Sequence, residues 1–178
     1  DVRMQMFNPD GSEAEMCGNG IRCFAKFLFE HRLVDKKIIP IETGAGVLSV
    51  ELVGDNVKVD MGEPILEGDR IPVLGFGNDR IIDAPIAIDG REYRMTCVSM
   101  GNPHCVVFVD SLKDIALERL GPKFETHEKF PRKINTEFVE VLDRSTLRMR
   151  VWERGAGITL ACGTGACATA VAGVLSGR

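Results

Sequence analysis

Residues 163–175 carry no charged side chain, and this uncharged stretch constrains the fold more than any other feature of the chain. Its small and apolar residues predict a helix, and a helix without a wet side is expected to be buried all round. Where the surrounding segments are short and antiparallel, a sheet curled about the helix encloses it. The stretch opens on Cys162-Gly163-Thr164-Gly165-Ala166, and the same pattern recurs near the other end of the chain as Cys17-Gly18-Asn19-Gly20-Ile21. The likeness extends upstream. Asn8 stands nine positions before Cys17, and Glu153 stands nine before Cys162. Each interval holds a glycine turn, Asp10-Gly11 in one and Gly155-Ala156-Gly157 in the other. An ancient duplication accounts for all of this.

The duplication predicts an α+β fold of two pseudo-symmetric half-domains. Each is a curled, mainly antiparallel sheet around a central helix with a cysteine at its N-terminus. The two thiols then sit at matched helix starts on either side of a pseudo-twofold. Two facing thiols form an acid–base pair suited to inverting a carbon centre.

Patterning along the chain fits this layout. A short strand is expected over 2–7, then the turn Asn8-Pro9-Asp10-Gly11-Ser12, then a helix over 18–33. Ile21, Phe24, Phe27 and Leu28 recur at helical spacing there, and Arg22, Lys26 and Glu30 give a wet face. Strands over 38–43, 47–52 and 57–61 follow, separated by glycine turns, as an antiparallel meander. Gly62-Glu63-Pro64 breaks the pattern and divides the chain into half-domains 1–62 and 63–178. The second half is expected to hold a hairpin of 81–88 and 91–100 around a type I′ turn at Asp89-Gly90. A strand over 105–109 comes next. Ser111 and Asp114 form a capping box for a helix ending at Gly121-Pro122, and a hairpin of 137–142 and 146–152 follows.

Composition removes several function classes. No run of about 18 apolar residues is present, so a membrane span is not expected. The net charge of −4 and the lack of a basic cluster argue against a nucleic-acid partner. The six cysteines are compatible with a secreted disulfide set. The apolar or strand-like settings of Cys23, Cys97, Cys105 and Cys167 favour reduced thiols in a cytoplasmic protein.

A helix N-terminus presents unpaired N–H groups and the positive end of the macrodipole. Glycines on both sides of Asn19 and Thr164 allow a ligand's carboxylate to approach the backbone closely. A cysteine at such a point is expected to have its pKa lowered toward neutrality. A single copy of the motif reads equally well as tight helix-on-sheet packing; the matched pair points to function. Phe24, Phe27 and Trp152 read as core residues, His31 and His127 as surface, and Arg22 as solvent-facing or capping.

Asn8-Pro9-Asp10-Gly11-Ser12, followed by Cys17-Gly18-Asn19-Gly20 and Arg22-Cys23, resembles the first active-site signature of the diaminopimelate epimerase family. Val98-Ser99-Met100-Gly101-Asn102-Pro103-His104, Asn135, Trp152-Glu153-Arg154-Gly155-Ala156-Gly157 and Ala161-Cys162-Gly163-Thr164-Gly165-Ala166-Cys167 resemble its later ones, in order. The related proline-racemase group typically carries His at the position of Asn19, so the Asn favours the epimerase. The resemblance implies a cofactor-independent, metal-free enzyme that interconverts L,L- and meso-diaminopimelate for lysine and cell-wall synthesis. Its small-molecule amino-acid substrate is the expected partner, with a homodimer as a possible assembly.

By carry-over, Cys17 and Cys162 are the two bases, with His104 and Glu153 as catalytic partners; His104 would act on Cys17. The amides of Gly18, Asn19, Gly163 and Thr164 would stabilise the reacting carboxylate. Asn8, Asn102, Asn135 and Arg154 would hold the distal amino-acid end, and Glu153 would bind an ammonium, tune Cys162, or both. Family members begin with a His-Gly-x-Gly-Asn-Asp segment and close with a β-hairpin. Neither is present in this sequence, so the chain is expected to be truncated at both ends. Three other readings stay open: another two-thiol amino-acid racemase, an inactive fragment, and a metal or redox protein using Cys17, Cys23, Cys162 and Cys167. The Cys-x5-Cys and Cys-x4-Cys spacings depart from the usual Cys-x2-4-Cys zinc pairs.

Overall fold

Ile39, Ile41 and Thr43 turn inward from a strand whose intervening residues are exposed, the alternation expected of a half-buried strand. In the computed structural model, which describes residues 2–8 and 11–178, this strand anchors the first of two units, Asp1–Glu63 and Pro64–Arg178. The first unit contains β1 (Val2–Arg3), β2 (Met6–Phe7), β3 (Glu13–Ala14), α1 (Gly18–Glu30), β4 (Ile38–Thr43), β5 (Gly46–Val53) and β6 (Asn56–Val59). Four strands form one sheet in the order β1-β4-β5-β6, and β2 pairs with β3. The β1–β4 pair is parallel and the others are antiparallel. Helix α1 buries Ile21, Ala25 and Leu28, which join Met4, Met16, Ile39, Ile41 and Val50 in one core.

Helix α1 stops at Glu30, short of the expected 33. Arg32 adopts a left-handed φ of 56°, while Arg32 N donates to Phe29 O and Leu33 N donates to Leu28 O. This is a Schellman stop with arginine where glycine is usual, so the ordinary signal was missing from the sequence. Phe27 is 49% exposed rather than core and lies against His31 with ring centroids 4.3 Å apart. Cys23 is likewise exposed. Of the turn expected before Ser12, Pro9 and Asp10 lie outside the described residues.

The second unit contains β7 (Ala84–Ile88), β8 (Arg91–Ser99), β9 (Pro103–Val109), α2 (Leu117–Glu125), β10 (Asn135–Asp143), β11 (Thr146–Glu153), β12 (Gly157–Ile158) and α3 (Gly163–Leu175). One six-stranded sheet runs β12-β11-β10-β9-β8-β7. Only the β9–β10 pair is parallel. Asp89 and Gly90 both have positive φ, 52° and 77°, as a type I′ hairpin requires.

Helix α2 packs on one side of this sheet in a core with Met95, Cys97, Cys105, Val107 and Phe138. Ser111 caps only a 3₁₀ turn, Leu112–Asp114, accepting from Lys113 N at 3.2 Å. Helix α2 then runs through Gly121-Pro122 instead of ending there. Gly121 serves packing: a Cβ at that position would lie 2.2 Å from the Trp152 ring.

Helix α3 covers the other face, where Thr96 Oγ1 lies 3.4 Å from Ser176 Oγ. Ala168 and Ala172 are buried, but Ala166, Ala170 and Val174 form an exposed stripe, with Val174 at 80%. The expectation of burial all round is therefore corrected: α3 packs mainly on β8 to β11, which contact it from one side. No helix among the described residues is long and apolar enough to cross a membrane.

Candidate active site

Each cysteine of the repeat caps its helix in the same way. Cys17 has an extended backbone (φ −136°, ψ 108°), and its sulfur accepts from Gly20 N at 3.3 Å. Cys162 repeats this (φ −126°, ψ 110°), and its sulfur accepts from Gly165 N at 3.4 Å. A sulfur in the role usually played by a serine or aspartate oxygen satisfies one orphan donor of the first turn. The same donor stabilises a thiolate.

In the first unit Asn8 ties its loop together. Its backbone N–H donates to Ser12 O at 2.8 Å and its Nδ2 to Ser12 Oγ at 3.1 Å. Gly18 opens α1 and is buried, while Cys17 is half-buried. Asn19 Oδ1 accepts from Arg22 Nη2 at 2.6 Å, which gives Arg22 its role as a brace for the first helical turn.

In the second unit a buried polar network surrounds Cys162. Thr164 Oγ1 lies 3.5 Å from Cys162 Sγ and accepts from Asn102 Nδ2 at 3.2 Å. Asn102 Oδ1 is 3.0 Å from His104 Nε2, and His104 Nδ1 is 2.8 Å from Glu137 Oε1. Both ring nitrogens of His104 are thus engaged within this unit. Asn135 spans two segments, donating from Nδ2 to Pro103 O at 2.8 Å and accepting from Arg154 N at 2.9 Å. Arg154 Nη1 donates to Arg132 O at 3.2 Å, and Glu153 Oε1 accepts from Thr159 Oγ1. Gly163 is half-exposed at the mouth of α3. A cavity of about 470 Å³ opens beside Cys162, lined among others by Arg150, Thr159, Leu160 and Ala166.

Cys162 does not have the near-neutral pKa expected at a helix start. It is pushed up to about 12, first by burial, then by the charge of Glu137 and, to a lesser degree, Glu153; the bonds from Thr164 and Gly165 oppose this. Desolvation outweighs the macrodipole and two hydrogen bonds. Cys97 and Cys105 face each other across β8 and β9, and both are buried. Their interaction, together with burial, holds Cys105 well above the ordinary thiol range, as suits an inert core thiol. All six cysteines are unbridged.

The sequence profile described as diaminopimelate epimerase matches residues 1–67 and 96–178. The chain belongs to the diaminopimelate epimerase family. It is 56% identical over 182 residues to the diaminopimelate epimerase of Methanococcus maripaludis (strain C6), a match covering 99% of this chain and 65% of that protein. It is 56% identical over 180 residues to the diaminopimelate epimerase of Synechocystis, covering 100% and 64% respectively. The chain thus spans less than two thirds of the length of these family members. A hydroxyproline epimerase from Agrobacterium vitis, solved with bound trans-4-OH-L-proline, shares the fold. The match has a TM-score of 0.72 at 17% identity and covers 100% of this chain and 57% of that one. The diaminopimelate epimerase profile passes over 68–95, the irregular entry to the second unit together with β7 and the start of β8.

Two buried acids went unrecognised in the sequence. Glu137 is fully buried in β10, between residues buried on both faces of the strand. Glu125, 7% exposed, accepts from Trp152 Nε1 at 2.7 Å, Gly155 N at 3.1 Å and Lys133 Nζ at 3.3 Å. It props the turn that carries Glu153 and Arg154. No local signal sets Glu137 apart, because the same strand also carries Asn135, Thr136, Glu140 and Asp143.

Proposed function

We propose that this protein catalyses cofactor-independent epimerisation of L,L-diaminopimelate to meso-diaminopimelate, a step that serves lysine and peptidoglycan-precursor synthesis. The observation that carries this reading is the matched thiol cap, with Cys17 and Cys162 each seated at a Gly-x-Gly helix start. The thiolate of one cysteine takes the α-hydrogen as a proton. The electron pair of the broken Cα–H bond moves onto the substrate carboxylate, which gains enolate character. The thiol of the other cysteine returns a proton to the opposite face, and the electron pair moves back to form the new Cα–H bond. The two sulfurs have then exchanged roles.

The backbone amides at Gly18, Asn19, Gly163 and Thr164 supply the donors that such a developing charge needs. The raised pKa of Cys162 makes it the proton donor in the resting state, and Cys17 the base. Asn8, Asn102, Asn135 and Arg154 orient the distal end of the substrate, with Glu153 receiving its ammonium. Asn135 and Asn102 do this while holding the neighbouring backbone and Thr164. His104 serves the site as a hydrogen-bonding partner, through Glu137 and Asn102. The two units act as pseudo-symmetric halves divided near Gly62, and the enzyme works in the cytoplasm as a homodimer.

A panel of amino acids assayed by circular dichroism tests the substrate assignment. Diaminopimelate should be inverted faster than any monoamino acid. Faster inversion of a simple amino acid would reassign the chain to another two-thiol racemase.

A further inference from the structure

Glu137 has a fully buried carboxyl whose Oε1 meets His104 Nδ1 at 2.8 Å, and whose Oε2 has no hydrogen-bond partner among the described residues. Such a group is costly to leave as an isolated charge. The direction of the surrounding hydrogen bonds decides its state. If Asn102 Oδ1 faces His104 Nε2, that nitrogen carries a hydrogen and Nδ1 shares a single proton with Glu137. The dyad is then neutral overall, whether the proton sits on carboxyl or ring. In the reverse arrangement Nε2 is bare and accepts from Asn102, Nδ1–H donates to a full carboxylate, and the dyad buries a net negative charge beside Cys162. Burial without a second partner selects the first arrangement.

The rest of the chain follows. Asn102 Nδ2 donates to Thr164 Oγ1 at 3.2 Å, which occupies a lone pair and leaves the hydroxyl hydrogen for Cys162 Sγ at 3.5 Å. We propose that Glu137 is a positioning residue. By sharing its proton with His104, it sets the ring tautomer and, through Asn102 and Thr164, aims a hydroxyl hydrogen at the Cys162 sulfur. The packing supports this placement: a Cβ on Gly165 would lie 2.5 Å from Glu137 Oε1, so the carboxyl fills the space directly under the first turn of α3. Glu153 is the other acid near Cys162, and any negative charge left on Glu137 pushes the thiol up, a charge that the proton shared with His104 offsets. This inference rests on the epimerase reading only for its consequence, and its test reads the sulfur rather than turnover.

The test is the pH dependence of Cys162 alkylation by iodoacetamide, mapped by peptide mass spectrometry on the full chain. In Thr164→Val the midpoint should rise and the rate at pH 8 should fall about tenfold, the change that corresponds to one pKa unit. Glu137→Met should do the same, and the double variant should show no further loss. Glu137→Gln should restore the wild-type profile, because its amide N–H can donate to Nδ1 and keep hydrogen on Nε2. A lowered midpoint in Glu137→Met would show that the carboxyl acts only as a nearby negative charge, and the inference fails. The imidazole ¹⁵N spectrum of the wild-type chain tests the same point without any variant. His104 should carry hydrogen on Nε2, and a bare Nε2 overturns the relay. A protein that passes these tests but does not invert diaminopimelate refutes the epimerase reading alone.

Discussion

The helix starts at Cys17 and Cys162 share a cap to within 0.1 Å in the sulfur bond, 3.3 against 3.4 Å, and differ in almost everything around it. Helix α1 is two-faced, with Lys26 and Glu30 paired on its wet side at 3.8 Å; helix α3 carries no charge at all. Cys17 is half-buried beside the Asn19–Arg22 brace, whereas Cys162 is buried above Glu137 and bonded to Thr164. The backbone geometry of the cap is thus common to both, but the electrostatics are set by what lies underneath. Identical motifs do not make equivalent thiols, and the proposed exchange of acid and base between them would gain by starting with one proton in place.

The largest effect should come from removing either sulfur. Cys17→Ala and Cys162→Ala should each lower kcat for epimerisation by at least about 10³-fold, since inversion needs an acid and a base on opposite faces. Substantial inversion by either variant would break the two-thiol pairing. Arg154→Lys should come next. It keeps the charge but loses the planar fork, and should reduce kcat/KM for diaminopimelate about tenfold or more. An unchanged kcat/KM would remove Arg154 from substrate binding.

Glycine-to-alanine changes at matched positions sharpen the contrast. At Gly165 the new Cβ would lie 2.5 Å from the buried Glu137 Oε1, and overpacking there should cost about 1–3 kcal/mol. At Gly20 the closest atom is the flexible Met6 Cε at 3.2 Å, and the gain in helix propensity of about 1 kcal/mol should offset the strain. Urea melts of the two variants should therefore separate clearly. Equal losses would show that the two first turns are packed alike.

A further contrast between the thiols is a slope. Above the ordinary thiol value of 9.0 the unfolded chain releases the Cys162 proton, while the folded chain keeps it up to about 12. Unfolding then releases a proton, so stability falls as pH rises through that window, by at most about 1.4 kcal/mol per pH unit. Below it Cys162 contributes no pH dependence. Cys162→Ala should have a shallower alkaline decline than wild type in urea melts between pH 9 and 11.

Much of this was legible in the residues. The repeated Cys-Gly-x-Gly pattern located both helix starts, Asp89-Gly90 marked its hairpin, and 38–43 was bounded correctly because alternation, β-branching and a glycine turn all agreed. The failures have particular causes. Arg32 ends α1 in a conformation whose usual signal is glycine, and Gly121-Pro122 looked like a stop although Gly121 is there to admit Trp152. The exposed stripe on α3 escaped because hydrophobicity alone does not say which side a sheet will cover. Glu137 escaped because its role depends on a parallel neighbour, β9, that brings His104 within reach. Likewise the elevated thiol at Cys162 follows from burial and a buried acid, which no local motif encodes.

Isotope transfer tests the paired thiols most directly. Epimerisation started from L,L-diaminopimelate in D₂O should, at low conversion, give meso product carrying one deuterium at the inverted α-carbon, while the recovered L,L substrate remains unlabelled. That outcome requires the incoming hydrogen to come from a solvent-exchanged group other than the one that removed the first. Product retaining the substrate's own hydrogen would mean that one group serves both faces, and would contradict the account of Cys17 and Cys162 as a pair.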